Sequence, residues 1–255
     1  MNKLILPRRR FLGGLALGTS GLILGGCDAI IENENVLKTI KQADRLTYGA
    51  QRALVDRQAL AQEFSGADLS PTFRANGSVM VDTPSYKQHV AENFGSWRLR
   101  VDGLVSSPLD LSLAQMVAMP AREQITRHDC VEGWSAIGQW RGTPLALILK
   151  AAGLSNRARF LVFHCADRLD GRPYYESIDL VDAFHPQTIL AWSMNGDRLP
   201  VAHGAPLRLR VERLLGYKQA KYVQRIEAVT SFAQIYQGKG GYWEDGSGYE
   251  WYGGI

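Results

Sequence analysis

Short segments with strand-like hydrophobic patterns restrict the fold of this chain more than any other feature. Four segments have such a pattern: the alternating Trp97–Val101 and Leu207–Val211, the more mixed Tyr222–Phe232 and the buried type Phe160–Phe163. Two helical patterns lie among them, Leu111–Met119, ended by Pro120, and Pro144–Ala152, ended by Gly153. Strands and short helices interleaved without repeats predict one α+β domain of about 180 residues.

The N-terminus has the pattern of an export signal. Arg8 and Arg9 with Phe11 and Leu12 precede the short apolar, Gly-rich stretch Leu15–Gly26. The paired arginines resemble the twin-arginine class, which carries folded proteins through the twin-arginine export machinery. A general secretory signal and the basic start of a membrane anchor are the alternatives. We therefore expect residues 1–26 to be a signal peptide.

Leu24–Cys27 resembles a bacterial lipobox, which would make a lipidated Cys27 the first mature residue. The alternative is a cysteine that falls near a cleavage site by chance. Val36–Leu54 has apolar residues at intervals of three and four, the pattern of an amphipathic helix. We expect residues 27–66 to be a lipid-anchored helical spacer before a domain at 67–255, and the protein to lie in the periplasm or at the cell-envelope surface.

Charge excludes one class of partner. The net charge is +4, and four basic residues with no acidic ones lie in residues 1–26, so the remainder is neutral. Nucleic-acid binding needs a basic surface, and we expect none. No later apolar run approaches the roughly 20 residues of a membrane-spanning helix.

Cys130 lies in an unusual setting for a core cysteine, between His128, Asp129 and Glu132 on a Gly- and Trp-rich segment. The residues alone leave three possibilities open: a nucleophile with His128 as base, a metal-binding thiolate, or a structural thiol, for instance in a disulfide with Cys165. A zinc site is poorly supported, because the usual ligand spacings are missing.

Four blocks in the same order resemble the sulfite oxidase family of molybdenum enzymes, over roughly residues 70–255. They are Cys130–Ser135 (CVEGWS) with Trp140–Leu145, Met194–Leu209 with its HGAPLRL stretch, Gly216–Glu227 beginning GYKQAKYV, and Gly241–Tyr249. The resemblance implies a single mixed α/β molybdopterin-binding domain of the sulfite oxidase type.

In that family one protein thiolate binds a single molybdenum, whose other sulfurs come from the pterin cofactor. The match implies that Cys130 is this ligand, a soft donor suited to the metal, with Glu132 and Trp134 beside it on the substrate side. It implies cofactor contacts for Asn76, Cys165, His203, Arg208, Lys218, Gln219, Ala220 and Lys221.

Simpler roles compete for several of these residues. Asn76 precedes a glycine and suits a turn, Arg208 could lie on an exposed strand face as we expect for Arg210, and Cys165 could be a buried small thiol. His164, Asp167 and Arg168 could line the cofactor entrance or form a solvated loop.

The chain departs from sulfite oxidases proper, because Glu132 follows Cys130 where they have arginines for a small dianion. The CVE-x-W pattern resembles the bacterial periplasmic branch, which includes a reductase of methionine sulfoxide in proteins. We expect a monomer that reduces a small or protein-borne S- or N-oxide with electrons from a membrane haem or quinol-linked protein. Sulfite oxidation and a non-catalytic lipoprotein are the alternatives.

Overall fold

The computed structural model describes Leu46 and residues 48–255. The chain divides into two units, at residues 1–54 and 55–255. In the first unit, residues 48–54 are helical, as the Val36–Leu54 pattern predicts. The rest of that pattern, the paired arginines and Cys27 lie outside the described residues. Within the described part of the chain, no helix has the length and apolarity to cross a membrane.

Ten strands form two sheets in the second unit, one mixed and one antiparallel. They are β1 (Arg98–Gly103), β2 (Leu109–Ser112), β3 (Arg122–Asp129), β4 (Ser135–Pro144), β5 (Phe160–Leu169), β6 (Arg172–Asp179), β7 (Ile189–Met194), β8 (Asp197–Arg198), β9 (Arg208–Arg210) and β10 (Val223–Val229). One sheet has the order β2-β1-β10-β5-β6, in which only β1 and β10 are parallel. The other has the order β3-β4-β7-β8, with β9 also paired to β7. The interleaved strands and helices confirm the predicted fold class.

Five short helices connect and cover the sheets: α1 (Pro84–Ala91), α2 (Leu113–Ala118), α3 (Leu145–Ala152), α4 (Leu180–Ala183) and α5 (Tyr242–Ser247). Ser112 caps α2 by accepting a hydrogen bond from the Gln115 backbone N–H, at 3.1 Å. Gly153 ends α3 in the left-handed region, at φ 65°, where a residue without Cβ is favoured. Both helical patterns in the sequence are therefore confirmed.

The main core lies between the first sheet and α3. Leu99, Phe163 and Ile226 of the sheet and Ile148 and Leu149 of α3 are all fully buried. Burying an aliphatic or aromatic side chain contributes about 1.5–3 kcal/mol each. The alternation in β1 is explained by this packing, because Leu99 and Val101 face the helix while Arg98 and Arg100 remain exposed.

Residues 55–66 belong to the second unit and run along β3. The Phe64 N–H donates to the Ile125 carbonyl at 2.9 Å, and Glu63 forms a bridge with Thr126. Gln187 holds the same segment from the other side, donating to the Ala61 carbonyl at 3.0 Å. The unit therefore starts at Val55.

Candidate active site

A cavity of about 440 Å³ opens where the β3–β4 turn, residues 73–78 and the segments around β9 meet. Its volume lies in the range of pockets for small ligands and cofactors. Eight of the predicted site residues line it: Asn76, Cys130, Glu132, Trp134, His203, Arg208, Gln219 and Lys221. Segments far apart in sequence thus bring most of the predicted set to one place.

Cys130 is presented by the turn between β3 and β4. The Cys130 N–H donates to the Trp134 carbonyl and the Gly133 N–H to the Cys130 carbonyl, both at 3.0 Å. Gly133 closes the turn at φ 82°. The half-buried thiol accepts a hydrogen bond from Asn76 Nδ2 at 3.4 Å. Cys130 and Cys165 are both free thiols, so the disulfide alternative is not formed.

Arg208 forms the cationic floor of the cavity. Its guanidinium donates to the His203 carbonyl at 3.1 Å and the Gln219 carbonyl at 3.3 Å, and it lies 4.9 Å from the centre of the Trp140 ring. Its Nε is buried and has no partner among the described residues. Burial, together with the nearby Arg210 charge, lowers the pKa of Arg208 to about 9. Such a group favours an anionic ligand.

Lys221 joins the cavity wall to the segment that carries Asn76. Its Nζ donates to the carbonyls of Asn76 at 2.7 Å and Ala202 at 3.0 Å, and also to that of Ser78. Burial and the Arg208 charge lower the pKa of Lys221 to about 7. His203 is neutral at pH 7, because burial and the same cations lower its pKa to about 4.

Glu132 and Trp134 lie at the mouth. Trp134 Nε1 donates to Glu132 Oε2 at 3.1 Å, and the Arg74 guanidinium lies 5.9 Å from the Trp134 ring centre. Glu132 is exposed and Trp134 is half-buried. The substrate side therefore carries an aromatic wall and one acidic group.

Three predicted cofactor residues lie off the cavity. Lys218 is buried between the carboxylates of Glu176, at 2.7 Å, and Glu244, at 2.5 Å. Cys165 packs in the main core, and Ala220 is buried there too. Consecutive residues point in different directions around the turn at 216–221, so Gln219 and Lys221 reach the cavity while Lys218 and Ala220 do not.

Arg210 corrects the expectation of an exposed strand face on β9. It is fully buried, 4.3 Å from the Trp140 ring centre, and forms an ion pair with the equally buried Glu212, at 2.6 Å. Both faces of β9 are covered. Leu207 and Leu209 pack in the main core, whereas Arg210 on the other face is buried in its ion pair with Glu212. The Glu212 partner two residues later was the available sequence signal.

Several lining residues were missed or left open by the sequence. Asp167 lines the cavity, accepts from Ser78 Oγ at 2.7 Å and has a pKa raised by burial. His164 instead contacts Glu227 at 2.9 Å, and Arg168 is exposed, donating to the Gly171 carbonyl. The aromatic residues Phe73, Tyr174, Tyr217, Trp243 and Tyr249 complete the wall.

The residues present fit a metal held mainly by its cofactor. Among the described residues, no group of three or more His, Cys, Asp or Glu side chains could hold a metal ion by itself. One thiol faces a cavity lined by two cations, the buried Arg208 and the half-buried Lys221, and neither forms an ion pair with a carboxylate within the described chain. A cofactor with a phosphate group and its own metal ligands would supply both the anion for these cations and the remaining ligands for the metal.

The sequence of the chain also matches one described protein family and several known proteins. The oxidoreductase molybdopterin binding domain family matches residues 85–237. A protein provisionally named protein-methionine-sulfoxide reductase subunit YedZ1, from Azospira oryzae, is 39% identical over 98% of this chain and 86% of its own length. The protein-methionine-sulfoxide reductase catalytic subunit MsrP of Gluconobacter oxydans is 38% identical over 51% of this chain and 46% of that protein.

Among solved structures, the sulfane dehydrogenase SoxCD of Paracoccus pantotrophus aligns with a TM-score of 0.49 and 22% identity. The alignment covers 54% of this chain and 39% of that chain.

Proposed function

Because the chain belongs to the oxidoreductase molybdopterin binding domain family, and is thus a molybdopterin-dependent oxidoreductase, we propose that it reduces an S- or N-oxide such as methionine sulfoxide. The names of its relatives, which refer to protein-methionine-sulfoxide reductase, support this substrate class. Reduction of a sulfoxide consumes two electrons and two protons and releases a sulfide and water.

The choice of substrate rests on one observation, the carboxyl side chain of Glu132 at the mouth of the cavity. Glu132, two residues after Cys130, lines the same cavity and is oriented by Trp134 at 3.1 Å. A carboxylate there repels a sulfite dianion but not an uncharged sulfoxide. The aromatic wall gives the apolar flank of a thioether a surface to contact.

The polar groups that line the cavity support a specific arrangement of the cofactor. Cys130 would bind the molybdenum, and Asn76 would orient the thiolate through its hydrogen bond of 3.4 Å. Arg208 and Lys221 would bind the anionic part of the cofactor, and His203 and Gln219 would contribute neutral polar groups. When bound, the cofactor supplies the oxygen-atom and electron transfer, while the protein orients it and excludes water.

Export and attachment complete the proposal. Residues 1–26 would direct export by the twin-arginine machinery, and a lipidated Cys27 would tether the catalytic unit to the membrane surface through the residues that precede Val55. Each buried CH₂ of an acyl chain contributes about 0.8 kcal/mol to membrane binding. A monomer at the periplasmic or cell-envelope surface would then receive electrons from a membrane haem or quinol-linked protein.

The deciding experiment measures molybdenum in protein exported by its own signal, beside a Cys130→Ser variant, and assays both with methionine sulfoxide and with sulfite. We expect about one molybdenum per chain, retained poorly by the variant, and turnover of the sulfoxide only. Activity on sulfite alone would replace the proposed substrate. Folded protein without molybdenum would instead support a binding module that keeps the fold.

A further inference from the structure

We propose that His128 is a catalytic hydrogen-bond donor to the oxygen of the sulfoxide substrate, held in the required tautomer by the buried Arg210–Glu212 pair. The inference rests on the proposed function and deepens it, since it assigns a residue to recognition of the oxide. His128 lies on β3, two positions before Cys130, and lines the same cavity while only 6% exposed.

The tautomer of His128 follows from its partners. Arg210 Nη1 lies 3.1 Å from His128 Nδ1, and a guanidinium can only donate. Nδ1 is therefore an acceptor, and the proton of the neutral ring is on Nε2. Gln219 Oε1 also approaches Nδ1, at the longer distance of 3.4 Å. The shorter, charge-assisted contact decides between the two.

Arg210 is itself held rigidly. Its Nε donates to Glu212 Oε1 at 2.9 Å and its Nη2 to Glu212 Oε2 at 2.6 Å, so two parallel bonds fix the plane of the guanidinium. Gln124 Nε2 also donates to Glu212, at 2.8 Å, and both members of the ion pair are fully buried. Nη1 is thereby directed at the imidazole.

The other ring nitrogen of His128, Nε2, is available for a further hydrogen bond. Nε2 makes no hydrogen bond within residues 48–255, and it lies against Gly216, where an added Cβ would approach it to 2.5 Å. Gly216 lines the cavity, as do Phe73 and Trp134, whose rings lie 5.6 Å from the imidazole centre. An N–H donor without an acceptor among the described residues thus lies beside Gly216, in the wall of the cavity that Cys130 also lines.

A sulfoxide oxygen suits this donor. It carries partial negative charge and accepts hydrogen bonds strongly, whereas a thioether product accepts them weakly. A donor that is oriented before the substrate arrives stabilises charge on that oxygen without reorganising. His128 would therefore hold the sulfoxide oxygen within the cavity that Cys130 lines, and would bind the sulfide product only weakly.

The first test compares two substitutions of His128 in the molybdenum-loaded enzyme. The amide nitrogen of His128→Gln can reach the Nε2 position, whereas that of His128→Asn reaches only the Nδ1 position. We expect kcat/KM for methionine sulfoxide to fall about 100-fold in His128→Asn and to stay within about tenfold of the native value in His128→Gln. Molybdenum and pterin content should be unchanged in both.

The second test concerns Arg210 as a positioning residue. Arg210→Lys keeps a cation beside Glu212 but loses the forked donation to Nδ1. We expect it to lower kcat about tenfold in the native background and to have no further effect in His128→Gln, since residues that act through one another are not additive. Imidazole ¹⁵N shifts of the labelled native enzyme should show Nδ1 unprotonated, and both nitrogens partly protonated in Arg210→Lys.

Three results would overturn the inference. One is equal activity of the two His128 variants, the second is a native spectrum with Nδ1 protonated, and the third is loss of cofactor from His128→Asn, which would assign His128 to the cofactor. Each of these results counts only if the native protein contains molybdenum and reduces the sulfoxide. Failure of the proposed function is distinct, since the native protein itself would then lack molybdenum or sulfoxide turnover.

Discussion

Lys218 is a buried cation whose role is to stabilise the fold and not to bind the cofactor. It lies one residue from the cavity-lining Gln219, but its ammonium contacts Glu176 and Glu244, and all three side chains are at most 1% exposed. Burial and the Glu244 carboxylate raise the pKa of Glu176, while Lys218 opposes this shift. The cation therefore compensates two acids that join β6 to α5.

Replacement of Lys218 by methionine should be strongly destabilising. The substitution leaves two carboxyl groups buried without their cation, and breaking a buried ion pair from one side costs about 3–5 kcal/mol. Urea unfolding at pH 7 measures the loss. Lys87→Met is the matched control, because Lys87 pairs with Asp82 at the surface, 62% exposed, where such pairs contribute at most about 1 kcal/mol. Equal losses in the two variants would contradict this assignment.

Lys221 predicts a pH dependence of stability in the cofactor-free protein. Its folded pKa is about 7, against 10.5 for the free side chain, because burial and Arg208 disfavour its charge. Between these pH values the unfolded chain binds more protons, so the contribution of Lys221 to stability rises with pH.

Lys221→Met should remove this rise. We expect the free energy of unfolding of the native chain, relative to the variant, to increase by about 2–4 kcal/mol from pH 7 to pH 10. Urea unfolding at pH 7, 8.5 and 10 measures it, with the exposed Lys150→Met as a control that should show no trend. A constant difference would mean that Lys221 keeps an ordinary pKa in the fold.

At the scale of elements, the end of α3 depends on one backbone conformation. Gly153 has φ 65°, and a Cβ there would lie 2.1 Å from Ser106 Oγ. We expect Gly153→Ala to lower the free energy of unfolding by about 1–3 kcal/mol, since left-handed backbone and a steric clash both oppose the methyl group. Thermal unfolding would show it. Gly66→Ala should be nearly neutral, because open space surrounds Gly66.

Strand β9 shows where an element escapes prediction from its own sequence. Leu207–Val211 has the same alternation as Trp97–Val101. The arginines of β1 are nevertheless exposed, whereas those of β9 are buried. Local pattern determines that the two faces differ. Only the partners Trp140 and Glu212, brought by β4 and the turn after β9, determine that the arginine face is enclosed.

At the scale of the whole molecule, the contacts of residues 55–66 indicate where the catalytic unit begins. Arg213 donates to the Arg57 carbonyl at 2.8 Å, and Gln187 and Ile125 bond the same segment. Chain 67–255 should therefore be about 3–6 kcal/mol less stable than chain 55–255, because several hydrogen bonds are lost and the buried Gln187 is left unsatisfied. Denaturant unfolding compares the two; equal stability would place the start of the unit at the later residue.

The sequence by itself determined the fold class, the family and the identity of the cavity thiol. These depend on local signals: hydrophobic periods, caps such as Gly153, and ordered motifs around Cys130 and Arg208. Tertiary structure alone decided which neighbours of those motifs reach the cavity. Lys218 and Lys221 lie three positions apart with the same chemistry, yet one is buried against two carboxylates and the other lines the site. The direction of a side chain at a turn, and the charge it meets, depend on segments distant in sequence.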